Sequence, residues 1–290
     1  MVPFFTVVIP SYNRASRISK ILHSLITQTY LDFEIVFVDD GSTDRTEEVV
    51  LNLNDQRVRY LKQSNKERGA ARNTGIKAAR GSYITFFDSD DLAYPHHLET
   101  AYAFIQSNGF PDIFHVGYEV INDLGKLLRK ADRLKNINQI IKKGNPLSCI
   151  GVFVKKEVIV NNLFNEDRVI AGLEDWELWL RLSNRYRILA CNTVTSALVQ
   201  HMARSVLQAT PENLERKERK FCEYVLKHEG VQFYRRDVLA GIKTYTALHL
   251  AISRAPKRDI WKYFLKGILM NPAELWRKRS LVIMKMLILN

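Results

Sequence analysis

The chain has 290 residues, of which 46% are apolar, which is enough for a sizeable folded core and argues against disorder. Its three cysteines, Cys149, Cys191 and Cys222, lack the spacing of a zinc site or a disulfide framework, which favours a reducing compartment. The net charge of +12 is uneven, since residues 1–201 carry +2 and residues 202–290 carry +10. A polyanionic partner, either membrane headgroups or nucleic acid, is therefore suggested for the C-terminal third.

The first hundred residues alternate between short strands and helices. The N-terminal MVPFFTVVIP has no basic segment before its apolar run, so it predicts a first strand and not a secretory signal. Apolar runs predict strands at 4–9, 33–38, 58–61 and 83–87. Helix-period segments lie between them, at 18–27, 46–53 and 70–79. This alternation is typical of βαβ units and predicts an α/β fold with a mainly parallel wound sheet flanked by helices.

The pattern changes after about residue 112. Further strands are predicted at 113–121, 149–155 and 186–199, with a basic loop at 126–147 and a helix at 173–183. Beyond residue 202 the pattern is almost entirely helical. No window reaches the roughly 18 apolar residues that a membrane span needs. We therefore expect a cytoplasmic protein, either free or attached to the inner face of the membrane.

Three polar clusters follow predicted strands at the point where each strand ends. They are IPSYNR at 9–14, VDDGSTD at 38–44 and DSDD at 88–91. In an open parallel sheet the carboxyl ends of the strands form the ligand-binding edge, so the three clusters are expected to lie close together. A turn or a helix cap explains each cluster alone, but the three together favour a binding site.

The same residues indicate what this site would bind. The chain has no glycine-rich phosphate loop of the G-x-G-x-x-G or G-x-x-x-x-G-K-[ST] type, so backbone amides at a helix start are not expected to hold phosphates. Asp88, Asp90 and Asp91 instead crowd together after an apolar strand. Mg²⁺ or Mn²⁺ typically binds one or two carboxylates together with substrate phosphates, so the pattern predicts a divalent cation and a diphosphate.

Five segments together carry a family resemblance. VVIPSYNR, IVFVDDGSTD, ERGAARNTGI, GSYITFFDSDD and LEDWELWLRL, spread over residues 5–182, resemble family 2 of the inverting glycosyltransferases, of the bacterial polysaccharide type and with the GT-A fold. The resemblance implies transfer of a sugar from a nucleotide-diphosphate donor, most often UDP-linked, to a hydroxyl of a glycan or lipid-linked acceptor. With it we expect a catalytic domain at 1–204, divided into a nucleotide-sugar half at about 1–111 and an acceptor half at about 112–204. A basic helical region at 205–290 would follow.

On the donor side, the resemblance implies a nucleotide pocket lined by Pro10, Tyr12 and Asn13, with the Tyr12 ring beside the base. Asp40 should accept a hydrogen bond from the base edge. Asp88 should reach the ribose or the donor sugar. These roles are expectations that the resemblance carries onto matching positions.

Two arginines belong to the same implied pocket. Arg68 and Arg72 lie near the nucleotide-contacting segment, where a guanidinium fork suits a diphosphate. The family often has two glycines before this point, whereas this chain has Lys66–Glu67, which leaves both roles open. The alternative for Arg72 is a structural salt bridge to Asp39 or Asp88.

The resemblance also implies a metal ligand and a general base. Asp90 would bind Mn²⁺ or Mg²⁺, and His201 is either a further metal or phosphate contact or a structural residue. Asp175, the second acid of LEDWELWLRL, would accept the proton of the attacking hydroxyl. Glu174 would orient the acceptor or bond to backbone. For this acidic pair the structural alternative is a stabilised helix N-terminus, and Asp91 is expected to cap the helix that follows it.

The basic C-terminal region allows two interpretations. Residues 256–290 mix basic with aromatic and aliphatic residues, as in a helix that lies in an anionic membrane interface. The helical face expected to contact the membrane carries Ile260, Tyr263, Phe264, Gly267 and Ile268. The alternative is a helical subdomain that packs on the catalytic core with a solvated basic face. No nucleic-acid-binding signature occurs, so nucleic acid is not expected as a partner. The oligomeric state is left open.

Two other functions would use the same metal chemistry. They are a non-catalytic relative that binds nucleotide-sugar and a nucleotidyltransferase. The intact Glu174–Asp175 pair argues against the first, and the missing glycine-rich loop argues against the second.

Overall fold

The computed structural model describes residues 2–130, 133–200 and 210–289, and the chain divides into two compact units. Unit 1 comprises Met1–Ile137, Leu147–Arg168 and Tyr186–Gln200. Unit 2 comprises Asn138–Pro146, Val169–Arg185 and His201–Asn290. The predicted ligand His201 lies outside the described residues.

Unit 1 is built on a single mixed sheet. Among the described residues its strands are β1 Phe5–Ser11, β2 Phe33–Asp39, β3 Val58–Lys62, β4 Tyr83–Phe86, β5 Leu92–Ala93, β6 Ile113–Asn122, β7 Leu127–Lys130, β8 Val152–Lys155 and β9 Ile188–Gln200. The strand order is β3-β2-β1-β4-β8-β6-β9-β5, with β7 paired to β6. The first four strands in this order run parallel, and β8 is antiparallel to both β4 and β6. The predicted α/β class, with a wound sheet flanked by helices, is confirmed.

Helices connect the strands and cover the sheet. In the first part of the chain they are α1 Ile18–Ile26, α2 Thr46–Leu51, α3 Glu67–Ala78, α4 His97–Ser107, α5 Ile137–Ile140 and α6 Lys156–Ile159. The predicted apolar face of α1 is fully buried in the main core. Helix α3 lies very close to β1, because a Cβ on Gly75 would overlap the side chain of Val8. This close approach brings the start of α3 near the carboxyl ends of β1 and β2.

Unit 2 is helical in the part that the structure describes. Its helices are α7 Glu174–Ser183, α8 Pro211–Leu226, α9 Arg235–Ile252, α10 Lys257–Met270 and α11 Lys278–Leu289. The start of α8 is capped, because the hydroxyl of Thr210 accepts a hydrogen bond from the N–H of Asn213 at 3.3 Å. Trp176 of α7 stacks on Phe221 of α8 with ring centroids 4.8 Å apart. None of the described helices has the length and apolarity that crossing a membrane requires.

Some local predictions differ from the structure. The predicted basic loop at 126–147 contains β7 and α5, and the strand predicted at 149–155 begins only at Val152, after a short 3₁₀ turn. The predicted helix cap at Asp91 is wrong. Its carboxylate Oδ1 accepts a hydrogen bond from the N–H of Val199 at 3.0 Å, whereas α4 begins after His96 with no side-chain cap. Asp91 therefore attaches β9 to the end of β4.

Candidate active site

The loops that follow β1 and β2 are joined by hydrogen bonds. The N–H of Asn13 donates to the hydroxyl of Ser42 at 2.8 Å, and the side-chain oxygen of Asn13 accepts from the N–H of Thr43 at 2.8 Å. The carboxylate of Asp44 accepts from the N–H of Ala15 at 3.0 Å. Asn13 has a φ of 51°, a left-handed conformation that asparagine tolerates better than most residues. The first two polar clusters thus lie together, as the sequence predicts.

Two other predicted pocket residues differ in exposure. Pro10 is buried within β1, where it pairs with Val38 of β2. Tyr12 is 47% exposed in the loop that follows. An exposed ring beside a strand end is free to stack on a planar group, whereas Pro10 contributes mainly to the shape of the loop.

Asp40 holds the segment that leads into α3. Its carboxylate is 3% exposed and accepts hydrogen bonds from the side chain of Gln63 at 2.7 Å and from the N–H groups of Lys66 at 2.9 Å and Glu67 at 2.8 Å. The neighbouring Gly41 has a φ of +83°, and a Cβ there would lie 2.9 Å from the backbone nitrogen of Asn65. The residues after β2 and those after β3 therefore form one connected edge of the sheet.

Arg72 pairs with Asp88 and not with Asp39. The Arg72 guanidinium is 2% exposed, and its Nη2 lies 2.7 Å from Oδ1 of Asp88. The Asp39 carboxylate instead accepts from the N–H of Ser42 at 2.7 Å and from the hydroxyl of Tyr60 at 2.5 Å. The predicted salt bridge of Arg72 is confirmed, with Asp88 as the partner. Asp88 keeps 31% of its side chain exposed, so it still faces a ligand-accessible edge.

Asn73 is a structural residue of this edge that sequence reasoning missed. It is 1% exposed, and its amide donates to the carbonyl of Phe164 at 2.9 Å and to the carboxylate of Glu166 at 2.8 Å, while its oxygen accepts from the N–H of Phe164 at 2.9 Å. The Phe164 ring in turn lies 5.3 Å from the Arg72 guanidinium. The only available signal was the position of Asn73 within ERGAARNTGI, directly after Arg72.

The predicted metal ligand occupies the rim of the sheet. Asp90 is half-buried after β4, between the buried residues Ser89 and Asp91. Arg68 is half-buried in the first turn of α3. In the described part of the chain, no group of three or more His, Cys, Asp or Glu side chains could hold a metal ion by itself.

The second acidic pair opens α7. Glu174 is 3% exposed and accepts a hydrogen bond from the N–H of Gly172. A bond to backbone is one of the two roles that the sequence predicts for Glu174. Asp175 is half-buried; its Oδ1 accepts from the N–H of Trp176 at 2.7 Å, and its Oδ2 accepts from the side-chain amide of Asn145 at 2.9 Å. Trp176 and Trp179 are core residues, at 1% and 0% exposure.

A charged network follows one turn later on α7. Glu177 is 2% exposed and receives the guanidinium of Arg181 at 2.8 Å and the ring Nε2 of His228 at 2.9 Å. Although burial raises it, hydrogen bonds from His228 and Arg181 hold the pKa of the Glu177 carboxyl below its usual range. The network anchors α7 to the chain segment after α8.

Two buried histidines of unit 1 have structural roles. Nδ1 of His97 lies 2.8 Å from the hydroxyl of Thr195, and Nε2 of His115 accepts from the N–H of Ser148 at 3.3 Å. Burial lowers the pKa of each imidazole to about 3. Both rings are therefore neutral at physiological pH, which makes them unsuitable as proton donors in a reaction.

Comparison with known proteins identifies the family. The sequence profile of "Glycosyl transferase family 2" matches residues 6–155. This chain belongs to glycosyl transferase family 2. An uncharacterized glycosyltransferase of Rickettsia felis is 36% identical over 188 residues, which are 63% of this chain and 31% of that protein. The chain thus spans about a third of the length of this relative.

A second relative is similar over most of its own length. The UDP-Glc:alpha-D-GlcNAc-diphosphoundecaprenol beta-1,3-glucosyltransferase WfgD of Escherichia coli is 31% identical over 191 residues, which are 64% of this chain and 72% of that protein. The family that the five segments predict is confirmed by these matches.

Two solved structures share the fold. TarS 1-349 of S. aureus, crystallised with UDP, has a TM-score of 0.64 and 18% identity over 91% of this chain and 88% of its own. The mannosyltransferase PcManGT of Pyrobaculum calidifontis, in complex with GDP-Man and Mn²⁺, has a TM-score of 0.59 and 15% identity over 99% and 87%. At these identities the likeness shows the fold alone, which is the predicted GT-A fold.

Proposed function

We propose that this protein transfers a sugar from a UDP-linked donor to a hydroxyl of a glycan or lipid-linked acceptor, with inversion at C1. The observation that carries the proposal is the connected edge formed by the residues after β1, β2 and β4, in a chain of this family. The name of WfgD, which specifies UDP-Glc and a diphosphoundecaprenol-linked acceptor, supports UDP and a lipid-linked acceptor.

On the donor side, we assign the nucleotide to Pro10, Tyr12, Asn13 and Asp40. The exposed Tyr12 ring supports stacking on a base. A carboxylate has about four acceptor positions, and three of them on Asp40 receive hydrogen bonds from the chain. Asp40 therefore retains capacity to accept from the base edge.

The diphosphate and the donor sugar are assigned to the neighbouring charges. Asp88 contacts the ribose or the sugar, held in place by the buried guanidinium of Arg72. Arg68, half-buried in the first turn of α3, would contact the diphosphate. In this assignment Arg72 acts on the donor through Asp88.

The residues at the end of β4 fit a divalent cation. Asp90 supplies a half-buried carboxylate, and Mg²⁺ or Mn²⁺ is commonly held by one or two carboxylates together with substrate phosphates. When bound, the cation would offset negative charge on the departing nucleoside diphosphate.

On the acceptor side, Asp175 is the proposed general base. An acceptor oxygen forms a bond to C1 while the bond from C1 to the diphosphate oxygen breaks, and that electron pair leaves with the nucleoside diphosphate. The proton of the acceptor hydroxyl goes to Asp175. Glu174, bonded to the Gly172 backbone, shapes the turn from which the acceptor would be oriented.

Release of UDP from labelled UDP-sugars in the presence of Mn²⁺ tests the proposal. Asp175→Asn should abolish transfer while UDP-sugar binding persists, and Asp90→Ala should remove metal-dependent donor binding. Asp123→Ala, which changes an exposed carboxylate of unit 1, is the matched control and should leave both unchanged. Near wild-type turnover of Asp175→Asn would show that the base is another group.

The proposal includes an anionic membrane surface as partner of α10. The face of α10 that the sequence predicts for this contact is wrong, because Ile260, Tyr263, Phe264 and Gly267 are buried within unit 2. Three side chains at four-residue intervals, Trp261, Leu265 and Leu269, are 41%, 49% and 77% exposed. Their flanks carry the exposed basic residues Lys257, Arg258, Lys262 and Lys266. An apolar stripe flanked by cations suits an interface of anionic lipid, and each such cation contributes about 1 kcal/mol.

Vesicle sedimentation tests this surface. Binding to vesicles with anionic lipid should exceed binding to purely zwitterionic vesicles and should weaken with salt. A Trp261→Ser/Leu265→Ser/Leu269→Ser variant should lose it, while Phe110→Ser, at an exposed apolar residue of unit 1, should not. Equal sedimentation of the triple variant and the parent would refute the assignment.

A further inference from the structure

We infer that Asn145 is a positioning residue for Asp175 and that charged residues before and in α11 hold Asn145 in place. The inference rests on the proposed role of Asp175 as general base. The Asn145 amide donates to Oδ2 of Asp175 at 2.9 Å, while the N–H of Trp176 donates to Oδ1 at 2.7 Å. With a donor on each oxygen, the carboxylate plane is fixed relative to α7.

The segment that carries Asn145 is itself clamped on its backbone. The carbonyl of Lys143 accepts a hydrogen bond from Nη2 of Arg279 at 2.5 Å and a longer one from Nη1 of Arg277 at 3.4 Å. Gly144 has a φ of +156°, and a Cβ there would lie 2.6 Å from Arg279 Nη1. A displacement of the Arg279 guanidinium would therefore displace residues 143–145.

Gly241 of α9 leaves room for the hydrogen bonds between Arg279 and the Lys143 carbonyl. A Cβ on Gly241 would lie 2.6 Å from the carbonyl oxygen of Lys143 and 3.5 Å from Arg279 Nη2. Any side chain at this position would displace the carbonyl that Arg279 holds. On the preceding turn, Nε1 of the core residue Trp176 donates to the carbonyl of Ile141 at 2.8 Å, which ties the same segment to α7.

Arg279 is in turn oriented by a fully buried carboxylate. Glu274 is 0% exposed; its Oε2 lies 2.6 Å from Arg279 Nη2 and accepts from the hydroxyl of Thr244 at 2.9 Å. Its Oε1 lies 2.9 Å from Nε of Arg277. Charge-assisted hydrogen bonds of this kind are short and directional, so they fix the guanidinium geometry. Hydrogen bonds thus connect Glu274 to Arg279, Arg279 to Lys143 and Asn145 to Asp175, and the backbone from Lys143 to Asn145 joins them.

This arrangement assigns a catalytic support role to Glu274 and Arg279, which lie outside the matched family profile, since the profile ends at residue 155. A general base must lie within hydrogen-bond reach of the proton that it accepts, and small displacements are costly in rate. Loosening Asn145 or Arg279 should therefore lower turnover without affecting the donor pocket in unit 1.

The decisive variants are Asn145→Ala and Arg279→Gln, assayed by UDP release with wild-type and Asp175→Asn proteins alongside. Each should lower kcat by about tenfold to a hundredfold, while the KM for UDP-sugar stays within about twofold. In the Asn145→Ala/Arg279→Gln double variant, the fold-loss in kcat should be smaller than the product of the two single fold-losses. The reason is that both residues act through the Asp175 carboxylate. Lys285→Gln, at an exposed position of α11, is the control and should keep the parent kcat.

Asn145 is exposed, so Asn145→Ala decides the matter even if Arg279→Gln fails to fold. If Asp175→Asn is inactive but Asn145→Ala retains the parent kcat, the positioning inference is wrong and the proposed function stands. If Asp175→Asn itself turns over normally, the proposed base is wrong and the inference falls with it. Multiplicative losses in the double variant would show that Arg279 does not act through Asn145.

Discussion

Arg72 of α3 and Asp88 at the end of β4 form an ion pair whose cation is far more buried than its anion. The guanidinium is 2% exposed and the carboxylate 31%, with 2.7 Å between Nη2 and Oδ1. The two residues are 16 positions apart in the chain, and their pairing joins the middle of α3 to the segment that follows β4. A buried guanidinium without this anion would be costly.

The exposure difference predicts an asymmetric response to mutation. Asp88→Ala should lower the free energy of unfolding by about 2–3 kcal/mol, because it removes an anion beside a buried charge. Adding Arg72→Met should recover part of that loss, since the buried cation that has lost the Asp88 anion is then gone. Urea unfolding of Asp88→Ala, Arg72→Met and the double variant measures the coupling free energy between the two residues. Strictly additive losses in the free energy of unfolding would contradict the prediction.

Asp40 predicts local protection from hydrogen exchange. Its carboxylate accepts from the N–H groups of Lys66 and Glu67, so these two amides should exchange slowly in the native protein. In Asp40→Ala they should exchange at least about tenfold faster, equivalent to a loss of about 1.4 kcal/mol. Amides within β2 serve as the internal control. Unchanged exchange at both residues would show that another group holds the segment.

Glu67 lies in a conformation that favours glycine. Its φ is 74°, in the left-handed region that side chains other than glycine rarely adopt. Glu67→Gly should keep or raise the free energy of unfolding by up to about 1 kcal/mol, whereas Glu67→Val should lower it by about 2 kcal/mol, since a β-branched residue is strained there. Thermal unfolding with a matched Glu48→Gly/Glu48→Val pair on α2 separates backbone conformation from loss of charge. The same rank order at both positions would contradict the prediction.

His97 and His115 predict a loss of stability in mild acid. Their folded pKa of about 3 lies below the unfolded value of 6.5, so the unfolded chain binds more protons between these values. The contribution of each neutral ring to the free energy of unfolding is fully present above about pH 6.5. It is lost as the pH falls from there toward about 3, at about 1.4 kcal/mol per pH unit.

Urea unfolding between pH 7.5 and 5 measures this loss. His97→Gln removes one titrating ring, so its unfolding free energy should fall less steeply with decreasing pH than that of the parent, by about 1.4 kcal/mol per unit near pH 5. Gln106→Asn, at an exposed position of α4 that does not titrate, is the control and should keep the parent slope. Identical slopes for the parent and His97→Gln would show that burial does not lower the pKa of His97 in the folded protein.

Local sequence patterns were sufficient for the first four strands, for the three helices between them and for the meeting of the strand-end loops. The spacing of Ile18, Ile21, Leu22 and Leu25 defines one buried helix face, and each of these residues is fully buried. The strands β1, β2 and β4 pair in parallel, so their carboxyl ends lie at the same edge of the sheet. The segments that follow these strands therefore meet there. Such features depend on neighbours along the chain, which a sequence displays directly.

The contacts that orient individual groups depend on distant residues. Asn145 is 30 positions from Asp175, and Arg279 is 136 positions from Lys143. No periodicity connects such pairs, and both Asn145 and Arg279 resemble ordinary surface residues in sequence. The inward direction of Asp91 was likewise unpredictable, because three neighbouring carboxylates look alike until one of them meets a backbone N–H from β9.

The attachment of β9 by Asp91 limits how the acidic segment can be redesigned. Exchanging the whole DSDD tetrapeptide to alter which nucleotide or ion is preferred would also release the strand whose Val199 it holds. Engineering for altered donor choice should therefore vary Asp90, while keeping the last aspartate and the anion at Asp88 that pairs with the buried Arg72. A library that randomises all four positions would contain many unfolded members and would understate the tolerance at Asp90.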